Sequence, residues 1–179
     1  MPRAAHCIFI TRSPQRISAE YSRKFKGTMK KEERVQALVK TLGSDSMVAH
    51  DTFYLGYFSL FNEQKYYEAH DVLEHLWLKT SGHSHRFFKG LIQLAGAFVH
   101  LKKHFERPHH PTDGRRLYPA RRLFKLAQRN LLPFAPSYLG FDVTGAIDLC
   151  RANVSQLEAS EFQHNPWSPE NAPRLPVPR

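Results

Sequence analysis

The chain has 179 residues, of which 41% are hydrophobic and 23% charged, the balance of one domain with a real core rather than of two full domains or a disordered chain. Its net charge of +10 comes from 26 Lys and Arg against 16 Asp and Glu, which points toward anionic partners only where the basic residues are left unbalanced. The longest strongly apolar run, Phe53 to Phe61, is far short of the ~20 residues a membrane-spanning helix needs. Cys7 and Cys150 suggest reduced thiols rather than a disulfide framework, so a soluble cytoplasmic protein with no membrane partner is expected.

Residues 1–31 carry eight basic side chains against one acid, Glu20. The apolar patch Cys7 to Ile10 is too short for a secretory signal, and the composition fits either a disordered basic arm or an organellar transit peptide. Met29 is an alternative start. The organisation expected is a disordered arm over 1–28, a helical domain over 29–163 and a Pro-rich tail over 164–179.

Beyond the arm, apolar residues recur at helical spacing. Val35, Leu38, Val39 and Leu42 predict a short helix that stops near Gly43, and Ser44-Asp45-Ser46 can cap a second that runs to about Phe61. Asn62 to Lys65 reads as a tight connection. A third helix, about Tyr66 to Leu78, aligns Tyr66, Ala69, His70, Leu73, Glu74 and Trp77 along one side and ends at Ser81-Gly82. The fourth, about Ser84 to Phe105, is the most apolar and is expected to be central, with Phe87, Leu91, Leu94, Phe98 and Leu101 as its core stripe. Gly90 and Gly96 inside it each cost about 1 kcal/mol against Ala, which predicts that another helix crosses closely there.

Arg107 to Gly114 reads as a Pro- and His-rich surface loop. A fifth helix follows with Pro119 in its first turn and Ala120, Leu123, Ala127 and Leu131 buried, ended by Pro133 and Pro136. Asp142 is the expected N-cap of the last helix, which buries Val143, Ile147, Cys150, Val154 and Leu157. After Gln163 the tail is expected to be extended, poorly ordered and dispensable. No alternating strand pattern occurs. The fold class is all-α: a single-domain helical bundle or orthogonal array of five to six helices.

One constellation could carry chemistry. His70 and Glu74, four apart, leave one helix face a turn apart and can meet a common atom. Imidazole and carboxylate are good ligands for zinc, iron or manganese. Gln93, Gly96, His100 and His104 form a polar stripe beside the core stripe of the central helix, and a crossing near Gly96 would bring His100, as a third ligand, and Gln93, in support, to face His70 and Glu74. The alternative is a buried hydrogen-bonded network with no ligand. Trp77, at the end of the stripe, reads as core, and His75, His83, His85, His109 and His110 read as exposed.

The stretches Tyr66-Tyr67-Glu68-Ala69-His70-Asp71-Val72-Leu73-Glu74-His75-Leu76-Trp77, Gly90-Leu91-Ile92-Gln93-Leu94-Ala95 and Leu139-Gly140-Phe141-Asp142-Val143 resemble a bacterial and archaeal family, the domain of unknown function numbered 309. The resemblance spans roughly residues 47–160 and rests on the His-x-x-x-Glu-x-x-Trp motif. It implies an all-helical fold of uncharacterised function, with metal binding at the positions of His70 and Glu74; Asp71, where the family usually has Glu, and Trp77 would support the site. The chain also departs from the family at Gln64, where Gly is usual, and at Pro119-Ala120.

Two functions compete. The first is a metal-binding protein or metal-dependent enzyme centred on His70 and Glu74, acting on an unidentified small molecule. The second is a binding module for nucleic acid or an acidic protein: Gly114 to Phe141 contains no acid but holds Arg115, Arg116, Arg121, Arg122, Lys125 and Arg129, without aromatic residues regularly interleaved among them.

Overall fold

The computed structural model describes residues 49–178 together with Glu33, Gln36 and Ala37. The basic arm, Met29, Cys7 and the Ser44-Asp45-Ser46 cap lie outside the described residues; so does most of the helix expected around Val35, although Glu33, Gln36 and Ala37 are helical. Five α-helices follow among the described residues: α1 (Ala49–Asn62), α2 (Tyr66–Lys79), α3 (His83–Glu106), α4 (Leu117–Leu131) and α5 (Val143–Ala159). The fold is all-α, as the spacing of apolar residues predicts.

The helices form where the apolar stripes lie, and each stripe is the buried one. Phe87, Leu91, Leu94, Phe98 and Leu101 of α3 are all enclosed, against Tyr57, Phe58 and Phe61 of α1, Leu73 and Leu76 of α2, and Phe124 and Ala127 of α4. Edge-to-face rings, such as Phe61 on Phe98 at 5.3 Å and Phe98 on Phe124 at 5.2 Å, carry this core across three helices. The Tyr57 phenol donates to the Leu91 carbonyl at 2.8 Å, so its burial leaves no orphaned group.

The two glycines of α3 mark close approaches, as expected. A Cβ on Gly90 would lie 2.8 Å from the Leu131 side chain of α4. One on Gly96 would lie 3.2 Å from Leu123 Cδ1 of α4 and 3.9 Å from His70 Cδ2 of α2. Helices α2 and α4 therefore converge over the same turn of α3.

Asp142 caps α5 through its Oδ1, which accepts the Gly145 N–H at 2.9 Å. Just before it is a feature with no sequence signal, an antiparallel pair β1 (Ser137–Tyr138) and β2 (Phe141–Asp142). Strands of two residues are too short to display alternation, and their turn sets Leu139 at φ 48° where Asn or Asp is the usual residue. Gln64, at the tight α1–α2 connection, is likewise left-handed at φ 59°, a conformation that glycine adopts most easily.

The tail corrects an expectation. It has no regular secondary structure, but it is docked, not loose: Trp167 is 3% and Leu175 5% exposed. The Trp167 indole donates to the Tyr66 hydroxyl at 3.0 Å, and Asn165 Nδ2 donates to the Leu101 carbonyl at 2.8 Å. Asn62 exchanges two bonds with the Leu175 backbone, at 2.9 and 2.7 Å. The prolines exclude helix, yet two apolar anchors and side-chain amides that satisfy the extended backbone are enough to fix the segment. The domain thus continues past residue 163.

Candidate functional site

Helix α2 presents His70, Asp71 and Glu74 at one place. His70 Nδ1 lies 3.4 Å from Asp71 Oδ1 and 3.9 Å from Glu74 Oε2, and one ligand atom from each residue falls within 4.8 Å of the others. The i, i+4 spacing stacks His70 and Glu74 on one face, while Asp71, one residue on, reaches across from the buried side. His70 and Glu74 are half-buried and Asp71 is buried. The imidazole lies beside Gly96, whose missing side chain lets Leu123 of α4 and His70 of α2 approach α3 at the same point.

The company expected from α3 does not join this group. His100 turns to the start of α4, where Nη1 of the N-cap residue Arg116 lies 3.1 Å from its Nδ1; a guanidinium can only donate, so this nitrogen accepts and the ring is neutral. Burial, reinforced by Arg116 and Lys103, lowers its pKa from 6.5 to about 4. Gln93 Oε1 likewise accepts from Asn130 Nδ2 of α4 at 2.8 Å. The α3 polar stripe is thus spent on α4, because Gly90 and Gly96 draw α4 so close to it. Asp71, expected only in support, is instead the third member of the cluster with His70 and Glu74. His104 bonds to the tail, 3.3 Å from Asn165 Nδ2.

Trp77 is only partly buried. Its ring packs on His85 at 4.6 Å, and its enclosed indole N–H has no hydrogen-bond partner. The histidines expected to be exposed are mostly engaged: His75 stacks on Phe53 at 4.9 Å, and His83, though exposed, contacts Phe134 at 4.5 Å. In the loop, His110 Nδ1 accepts from the Asp113 N–H at 3.2 Å, and the buried Asp113 carboxylate binds Arg107 and Arg116. Its hydrogen bond with Arg116, with help from Arg107, holds the Asp113 carboxyl below its usual pKa. These contacts organise the loop rather than a ligand site. Cys150 is enclosed and burial pushes its thiol up to about 12, so it is inert at neutral pH.

The six basic residues of 115–129 divide. Arg116 is bound to Asp113, and Arg121 and Lys125 share Glu158 of α5. Arg115, Arg122 and Arg129 are exposed and have no carboxylate partner among the described residues. No helix of the described residues is long and apolar enough to cross a membrane.

No curated protein and no solved structure matches the chain. Residues 54–108, which hold His70, Asp71, Glu74 and the α3 crossing, match the family model described as Domain of unknown function (DUF309), the family that the His-x-x-x-Glu-x-x-Trp motif resembles.

Proposed function

We propose that this is a metal-binding helical protein that holds one divalent transition ion through His70, Asp71 and Glu74. The observation that carries the reading is the convergence of an imidazole nitrogen and two carboxylates within 4.8 Å of one another. Ligands on one ion with bonds near 2.1 Å sit roughly 3–3.5 Å apart, so small side-chain rotations bring the observed 3.4 and 3.9 Å separations into that range. The donor set fits zinc, iron or manganese: one borderline nitrogen and two hard oxygens whose charges balance a divalent cation.

In this reading Asp71 anchors the ion from the buried side, while His70 and Glu74 close over it from the half-exposed side. Three protein donors leave positions on the ion for water or a small molecule from the side where His70 and Glu74 are partly exposed. A bound ion would supply Lewis acidity toward a carbonyl or phosphoryl oxygen placed against it. The test is elemental analysis of untagged full-length protein after equilibration with each metal. One ion per chain, lost in both Asp71→Asn and Glu74→Gln, is expected; a chain that retains none of the three metals overturns the proposal.

A further inference from the structure

The exposed residues of α4 are Tyr118, Arg122, Lys125 and Arg129, spaced four, three and four apart, so the whole outer face of this helix is three cations and one aromatic ring. Arg122 and Arg129 lie two turns, about 10 Å, apart. Arg115 extends the series by the same interval of seven in the 3-10 turn before the helix, and Arg86 of α3 donates from Nη2 to the Arg129 carbonyl at 2.8 Å, adding a fourth guanidinium at the far end. Lys125 shares Glu158 with Arg121, an exposed pair that water and salt weaken. The other members have no carboxylate partner among the described residues.

We propose that this face binds the phosphate backbone of a nucleic acid. Guanidinium forks match phosphate oxygens two at a time, and a row of them complements a regularly spaced polyanion that can displace Glu158 from Lys125. Tyr118, 53% exposed, supplies an aromatic ring at one end of the row; it leans edge-on against Phe162 at 5.6 Å, and the Arg121 guanidinium lies over it at 5.8 Å, which leaves its other face for a base. A lipid surface is disfavoured, because between Tyr118 and Arg129 the face offers no exposed apolar side chain to insert.

The experiment uses the full chain, a labelled single-stranded RNA and a labelled duplex DNA, titrated between about 50 and 200 mM salt. Arg122→Ala/Arg129→Ala is compared with Lys79→Ala/Arg151→Ala, which removes the same charge from α2 and α5. The α4 pair is expected to weaken binding by about tenfold or more and to flatten the log-log salt slope by about 1.4 for the single strand or 1.8 for the duplex, with an unchanged thermal midpoint; the control pair should lose less than about twofold. Tighter binding of RNA or of DNA names the source of the phosphates and supports the proposal either way. Equal losses in both pairs, no loss in either, or retention by phosphatidylserine but not phosphatidylcholine vesicles with neither nucleic acid bound would overturn it.

Discussion

The Trp167 indole donates to the Tyr66 hydroxyl at 3.0 Å, joining the C-terminal tail to the first residue of α2, in the helix that carries the candidate metal donors. The buried phenol accepts this bond, which opposes the upward effect of burial; the Tyr66 pKa is raised to about 12. Removing the tail strips the indole from the core and leaves Tyr66 open.

The first prediction follows from that contact. Trp167→Ala should cost about 3–5 kcal/mol in chemical denaturation, and truncation after Gln163 should lower the thermal midpoint by about 10 °C or more. An unchanged midpoint would mean that the tail does not pack in solution.

The two glycines of α3 should respond to alanine in opposite ways. At Gly90 the new methyl would sit 2.8 Å from Leu131 Cγ and Cδ2, so α4 must shift, at about 1–3 kcal/mol. At Gly96 the nearest atom is a Leu123 methyl at 3.2 Å that can turn aside, and the helix-propensity gain of about 1 kcal/mol should leave Gly96→Ala neutral or stabilising. Denaturation of both variants checks the pair, and equal effects would contradict this geometry.

Stability should depend on pH through His100. Its pKa falls from 6.5 to about 4 in the folded chain, through burial first and then Arg116 and Lys103. The unfolded chain therefore takes up this proton at higher pH than the folded one. The contribution is complete above about pH 6.5, declines as pH falls toward 4, and is gone below. His104, lowered by burial, acts in the same direction. His100→Gln should flatten the fall in denaturation midpoint across this window without abolishing it; an unaltered slope would contradict the assignment.

The helices were legible because their signals are local. The stripe Phe87, Leu91, Leu94, Phe98 and Leu101 and the cap Asp142 need no knowledge of partners, and Gly90 and Gly96 announced a crossing. What stayed hidden depends on contacts distant in sequence. Nothing in the spacing of Gln93 and His100 says whether they turn to α2 or α4; the approach of Asn130 and Arg116 decides it. Asp71 looked secondary because it is off the His70–Glu74 face, yet a carboxylate is long enough to reach around. The tail misled because its prolines rule out helix and say nothing of docking, which rests on Trp167, Asn165 and Leu175 meeting partners about 60 to 110 residues away.

The central claim is met most directly by measuring metal content and chemical denaturation together on wild type and Glu74→Gln, each dialysed against zinc, iron and manganese. The amide keeps the size of the side chain and removes its charge. About one ion per wild-type chain, stoichiometric binding lost in the variant, and an apo variant as stable as apo wild type are expected. A wild-type chain that stays metal-free, together with a variant destabilised by about 1–3 kcal/mol, would contradict that claim and make His70 and Glu74 a structural pair.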